Sequence, residues 1–218
     1  CSHNESYGSR YQSRAANKVA DDIQELSIKL GSNNFSFVDE GLSPNLARKL
    51  SNEIEIRKLN ISCSSNVRIE QQFTPELCEI MYRAGFKLLT VGLESGCDRV
   101  LNHMVKGTDT KTSVEVLRNI YRAGIWDHLY VFFGFPTEER YEAQETIDFL
   151  EANKGIIRSF NIGYFDLHKG SDAIREPEKY GIKDVGEERN DNEFSMSREY
   201  GVTSGISSSE ARGLSITA

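Results

Sequence analysis

The 218-residue sequence is poor in cysteine, proline and tryptophan, with four, four and one respectively, and it has no long apolar run. No stretch approaches the roughly 18 apolar residues needed to cross a bilayer. No signal-peptide pattern precedes the first helical segment, so the reading is cytoplasmic, with no membrane partner. Cysteines 1, 63, 78 and 97 are too few to staple a chain of this length, and none stands in the close CxxC spacing of a zinc site or redox pair. A phosphate loop of the GxxxxGK[ST] type is missing. Basic residues are the minority, 26 against 33 acidic ones, for a net charge of −7. That balance argues weakly against a broad nucleic-acid surface but leaves a basic groove, and so nucleic acid, open. The first residue is Cys rather than Met, which suggests a piece cut from something longer.

The remaining composition, 38% hydrophobic and 27% charged, is that of a soluble globular domain. Short apolar runs alternate with amphipathic segments. Strands are expected at residues 34–39, 61–68, 86–93, 128–134 and 158–166, and helices at 16–30, 44–59, 75–84, 97–104, 111–123 and 139–153. Ser43-Pro44 and Thr74-Pro75 each read as an N-cap followed by proline in the first helical turn. Gly85 and Gly124 stand where helix C-termini take a left-handed residue. Strands separated by helices imply right-handed βαβ crossovers and a parallel sheet. Periodicity alone does not separate an open doubly wound sheet from a barrel. Phe35, Phe37, Tyr130, Phe132 and Phe133 read most simply as strand core, while Tyr164 and His168 are candidates to reach the mouth. From residue 171 onward the periodicity is lost and Gly, Ser and charge predominate, so 171–218 is expected to be a polar, partly ordered extension beside a core of 1–170.

Polar groups recur where these strands end: Asp39-Glu40-Gly41, Asn66-Val67-Arg68, Glu94-Ser95-Gly96, Gly134-Phe135-Pro136-Thr137-Glu138 and Asp166-Leu167-His168. One such ending is an ordinary helix cap. Five in succession converge on one mouth, which is how a βα-barrel assembles a site.

Three segments carry a resemblance. CSHNESYGSRYQSRAANKVADDIQELSIKLGSNNFSFVDEGLSP is similar to the stretch that follows the CxxxCxxC motif of radical S-adenosylmethionine (SAM) enzymes. VGLESGCDRVLNHMVKGTD is similar to that family's Gly-x-Glu-Ser-Gly turn with its helix and basic-Gly pair. YVFFGFPTEERYEAQETIDFL resembles its Gly-Phe-Pro-Gly-Glu segment. The resemblance covers residues 1–170, and the subgroup it suggests is the methylthiotransferase-like and cobalamin-associated one.

It implies an α/β fold, a partial TIM-type (β/α)6 barrel lacking its first strand. It also implies a 4Fe–4S cluster whose open iron is chelated by SAM, and an electron that cleaves SAM to a 5′-deoxyadenosyl radical able to abstract hydrogen from a substrate. Residue by residue, Cys1 would be the third cluster ligand, with its two partners upstream. Asp39 and Glu40 occupy the place of the Gly-Gly-Glu-type motif that accepts from the SAM ammonium, although neither glycine is present. Arg68 and Lys106 are candidates for the SAM carboxylate. Glu94 and Ser95 fit the contact to ribose hydroxyls, and Gly134 and Pro136 would shape the loop beside adenine. Thr137 stands in the place of the family's glycine, which weakens the case for a tight turn. Glu138 reads equally as a first-turn carboxylate and as a ligand contact. Cys63, Cys78 and Cys97 are read as small buried hydrophobes.

The partners implied are a small-molecule or peptide substrate, a reductant such as flavodoxin or ferredoxin, and cobalamin through an upstream domain. Two other readings stay open on the residues alone. One is a non-redox βα-barrel enzyme binding a metal or sugar at its strand ends. The other is a degenerate barrel serving as an interaction module.

Overall fold

In the computed structural model of the chain, residues 12–186 and 196–217 are described. The first helix, α1 (Ala16–Leu30), leads into a regular alternation. Its members are β1 (Asn34–Phe37), α2 (Pro44–Ile56), β2 (Ser62–Arg68), α3 (Pro75–Arg83), β3 (Phe86–Glu94), α4 (Asp98–His103), α5 (Thr110–Ala123), β4 (Trp126–Phe133), α6 (Arg140–Ala152) and β5 (Ser159–Tyr164). The caps act as the sequence implies. Ser43 Oγ accepts from the Leu46 N–H at 3.4 Å, and Thr74 Oγ1 from the Leu77 N–H at 3.3 Å, each with proline next in line. Strand β1 stops at Phe37, two residues short of expectation, because the chain bends at Asp39-Glu40. Helix α2 ends at Ile56 rather than 59, where Lys58 turns left-handed at φ 54°.

The five strands form one parallel sheet in the order β1-β2-β3-β4-β5. A doubly wound sheet reverses its strand order at a switch point; this one does not, so right-handed crossovers leave every connecting helix on the same face. Helices α1, α2, α3 and α5 accordingly pack in a row. This is the winding of a barrel wall, as the resemblance implied.

The helix-facing positions are the odd-numbered residues of β2, β3 and β4: Cys63 and Val67, Leu89, Val91 and Leu93, and Leu129, Val131 and Phe133, all buried. All but Phe133 meet Leu50, Ile54, Leu77, Met81, Leu117 and Ile120 from the helices in the main core. Burial of such side chains, each about 1.5–3 kcal/mol, holds the sheet to its helical layer.

The segment after β5 is less polar in structure than in composition. Two short antiparallel pairs follow, β6 (Leu167–His168) with β8 (Ser197–Arg198) and β7 (Ile182–Lys183) with β9 (Gly201–Val202). Helix α7 (Asp172–Arg175) and a 3-10 turn (Pro177–Tyr180) lie between them. Leu167, Ala173, Tyr180 and Ile182 join Cys97, Val100 and Phe135 in a second apolar cluster. Helix α8 (Ser208–Thr217) packs on β4 and β5, with Ala211 and Ile206 against Phe133 and Ala143. It fills the place that a helix following β5 would take. Tyr164, expected as a candidate for the mouth, lies under α8 instead, with the Arg212 guanidinium 5.6 Å from its ring centre.

Candidate functional site

The opposite face of the sheet is polar. Cα register aligns its side chains in rows: Ser64, Leu88 and Trp126; then Asn66, Thr90, His128 and Ser159; then Arg68, Gly92, Tyr130 and Asn161. Rows two residues apart along a strand are separated by about 7 Å. Tyr130, expected in the core, is 48% exposed on this face, because its even-numbered position points away from the helices.

Glu94 closes β3 at the C-terminal end of this face. A register shift against β4 between Gly92 and Glu94 frees its backbone, which turns left-handed at φ 67°. That conformation is uncommon for a residue with a side chain, and it folds the carboxylate back over the strand. The space it enters is left clear by the glycine at position 92. A Cβ there would lie 2.6 Å from Glu94 Oε1 and 3.2 Å from Lys106 Nζ.

Lys106 reaches Glu94 Oε1 at 2.5 Å from the loop between α4 and α5, and Arg68 Nη2 donates to the Lys106 carbonyl at 2.8 Å. The paired side chains are only 17% and 21% exposed, so their attraction is stronger than that of a surface pair. Three of the residues named from sequence, Arg68, Glu94 and Lys106, thus form one cluster of two cations and a carboxylate. Asp39 and Glu40 lie exposed on the bend after β1, one strand further out, and the Asp39 carbonyl accepts from Asn66 Nδ2 at 3.0 Å.

Ser95 does not join the cluster. It is fully buried, and its hydroxyl meets Thr146 Oγ1 at 3.1 Å and accepts from the Cys97 N–H at 3.1 Å. Thr146 also accepts from the Gly96 N–H at 2.9 Å. Gly96 permits this approach: a Cβ would lie 2.6 Å from Phe149 Cβ and 2.8 Å from Thr146 Cα. The serine locks the turn to α6 and leaves the carboxylate before it to face the mouth.

The loop after β4 is also turned inward. Gly134 and Pro136 are buried, and Gly134 backs so closely on Ala211 that a Cβ would lie 2.4 Å away. Thr137 keeps the tight turn after all, adopting φ 70° in a left-handed conformation that glycine would take without strain. Arg99 holds it there, donating from Nη2 to the Thr137 carbonyl at 2.8 Å and from Nη1 to its hydroxyl at 3.2 Å.

Glu138 is 1% exposed; its Oε2 accepts the Gly134 N–H at 2.5 Å, while Oε1 is buried without a partner among the described residues. Burial pushes this carboxyl up to about 7, helped by the neighbouring Glu142 and opposed by the Gly134 N–H. Glu142 is itself buried, which alone would raise it, but the Arg99 guanidinium and the Glu139 N–H hold it below the usual carboxylate range.

Cys1 and its flanking residues lie outside the described residues. Cys63 and Cys78 are enclosed on the helical side, where burial lifts both thiols to about 12, and Cys97 is lifted to about 11. Thiols so raised stay protonated near neutrality and are poor iron ligands. Among the described residues, no three His, Cys, Asp or Glu side chains are grouped to hold a metal. They therefore do not fit a cluster. The Arg68–Glu94–Lys106 group does fit a zwitterionic amino acid moiety, since it offers cations to a carboxylate and an acceptor to an ammonium. Also among the described residues, no helix is long and apolar enough to cross a membrane.

The polar sheet face was the part missed in sequence. Its signal was present in β2, where Ser62, Ser64, Asn66 and Arg68 alternate with buried partners. A parallel strand covered on both faces reads as continuously apolar; alternation marks one open face.

The sequence profile of the Radical SAM superfamily matches residues 1–150. Bacteriochlorophyllide d C-12(1)-methyltransferase of Chlorobaculum tepidum is 28% identical over 153 residues, spanning 68% of this chain and 33% of that protein. An uncharacterized methyltransferase of Pyrococcus horikoshii is 24% identical over 151 residues, with the same shares. The chain thus spans about a third of the length of the curated relatives it matches. Among solved structures, the cobalamin-dependent SAM radical enzyme OxsB with aqua-cobalamin bound superposes with a TM-score of 0.69 at 14% identity, over 92% of this chain and 36% of that one. The radical SAM methyltransferase TsrM from Kitasatospora setae, with cobalamin and a [4Fe–4S] cluster bound, gives 0.69 at 17% identity, over 94% and 45%. These two likenesses are likenesses of fold.

Proposed function

This chain belongs to the radical SAM superfamily, and on that premise we propose that its strand-end cluster binds S-adenosylmethionine within a cobalamin-associated enzyme of the methyltransferase type. The observation that carries the reading is the Glu94 carboxylate folded over Gly92 onto Lys106, at the mouth of a parallel barrel wall. Lys106 and Arg68 supply the positive charge that the SAM carboxylate requires, and Glu94 offers two oxygens to adjacent ribose hydroxyls or to the ammonium. Asp39 and Glu40, one strand away, are further acceptors for the ammonium. Gly134 and Pro136 set the backbone of the adenine-side loop from beneath, since both are enclosed. Ser95 serves by fixing the turn that aims Glu94.

Cys1 would be one of the thiolates holding a 4Fe–4S cluster, which would supply the electron for cleavage of the sulfonium C–S bond. Both curated relatives are methyltransferases, which favours methyl transfer as the outcome. The solved neighbours OxsB and TsrM hold cobalamin, which favours it as a second cofactor. The substrate is a small molecule or a peptide, and the electron comes from a protein reductant such as flavodoxin or ferredoxin.

The test is anaerobic reconstitution of the protein encoded by the complete reading frame with iron and sulfide. The reading expects an iron–sulfur absorption band and, with SAM and dithionite, 5′-deoxyadenosine. A protein that takes up iron and sulfide without forming the band, or forms it and leaves SAM intact, would falsify the reading.

A further inference from the structure

Below the ion pair lies the row Asn66, Thr90, His128 and Ser159, and in it one imidazole is held by a closed set of hydrogen bonds. Ser159 Oγ donates to the Asp127 carbonyl at 3.2 Å. It accepts the Trp126 indole N–H at 2.9 Å and meets His128 Nδ1 at 2.9 Å. A hydroxyl has one proton and two lone pairs. With the proton on Asp127 and one lone pair on Trp126, all three contacts are satisfied together only if His128 Nδ1 carries its own hydrogen and donates it. In the neutral ring Nε2 is then a bare acceptor.

Two aromatic rings flank this acceptor on the open face. Tyr130, one row up and 48% exposed, stands edge-on to the imidazole with ring centres 5.5 Å apart. Trp126, one row down, is 49% exposed. Large aromatic surfaces left open among the described residues, on a wall that also carries Leu88, are suited to covering by a flat apolar body.

We propose that His128 is a specificity-determining residue of the substrate site, accepting through Nε2 a hydrogen bond from an N–H or O–H group on a flat, ring-bearing substrate that lies against Tyr130. Ser159 is the positioning residue that sets the tautomer. This inference rests on the strand-end cluster being the SAM site, because the row of Arg68, Gly92 and Tyr130 beneath that cluster lies next to the row of His128.

In 15N-histidine spectra of the protein encoded by the complete reading frame, His128→Gln assigns the His128 signal among those of the four histidines of this chain and any outside it. At about pH 8, above the ordinary histidine range, long-range 1H–15N correlation is expected to show His128 protonated at Nδ1. Titration with indole is expected to shift its Nε2 resonance saturably, whereas 1-methylindole, which has the same ring with the donor blocked, leaves it unmoved. In Ser159→Ala the tautomer preference disappears and indole affinity falls about fivefold or more.

An Nε2–H tautomer, no indole response, or equal responses to both probes overturns the proposal. If Ser159→Ala does not fold, the wild-type tautomer and the pair of probes decide alone. Binding of SAM to the same sample separates the two ideas. Wild-type protein that binds SAM but treats both indoles alike defeats this inference only, and protein that binds no SAM defeats the strand-end reading beneath it.

Discussion

Replacing Glu138 by glutamine should change how stability depends on pH, and the size of the change follows from burial. The carboxyl is 1% exposed and is raised from 4.5 to about 7 in the fold. A carboxyl raised in this way is protonated in the folded state at pH values where the unfolded chain has already lost the proton. Its contribution therefore declines as pH rises from about 4.5 and levels off above about 7. The full loss is about 3 kcal/mol, of which roughly 2.5 kcal/mol falls between pH 5 and pH 8.

Glutamine is nearly isosteric, keeps an acceptor for the Gly134 N–H and does not titrate. Its own fixed cost, an amide placed where Oε1 has no partner, cancels when two pH values are compared. Urea denaturation of both proteins at pH 5 and pH 8 is the assay. Glu138→Gln should gain about 2–3 kcal/mol on the wild type between those conditions. The contribution from Glu210, held low, is common to the two proteins and drops out of the difference. A stability difference that is the same at both pH values would refute the reasoning.

Two further outcomes test the backbone account. Gly96→Ala should destabilise by about 2–3 kcal/mol in urea melts, because the new methyl meets Thr146 backbone at 2.8 Å and Phe149 Cβ at 2.6 Å, neither the end of a flexible chain; a wild-type midpoint would show that α6 is free to move off the turn. Thr137→Gly should change stability by less than about 1 kcal/mol, since relief of a left-handed β-branched residue at φ 70° is offset by the added entropy of the unfolded chain and the lost Arg99 contact; a loss of about 2 kcal/mol or more would mean the hydroxyl contact outweighs the strain.

Much of the architecture was legible from caps and periodicity. Ser43-Pro44 and Thr74-Pro75 mark helix starts by chemistry that operates within four residues, and each helix begins where that chemistry places it. The strand ends were legible because polar residues interrupt apolar runs. Contacts far apart in sequence were not. Ser95 has the same local pattern whether it faces ribose or Thr146, 51 residues away, and only the approach of α6 decides between them. Thr137 carries no local mark of a left-handed turn, because the turn is imposed by Arg99 from α4. The late segment looked polar because its buried residues, Ala173, Tyr180, Ile182, Ile206 and Ala211, are spread among short elements whose periods never repeat. Tyr130 was taken for core because a single aromatic residue does not reveal which face it occupies; the alternation across Trp126, His128 and Tyr130 does.

The central claim is that Arg68, Glu94 and Lys106 form a site for SAM. Titration calorimetry of the protein encoded by the complete reading frame with SAM, beside Lys106→Met and Glu94→Gln, tests it most directly. The account predicts saturable binding by the wild type and a loss of about tenfold or more in each variant, with folding retained by circular dichroism. Variants that bind SAM as tightly as the wild type would contradict it.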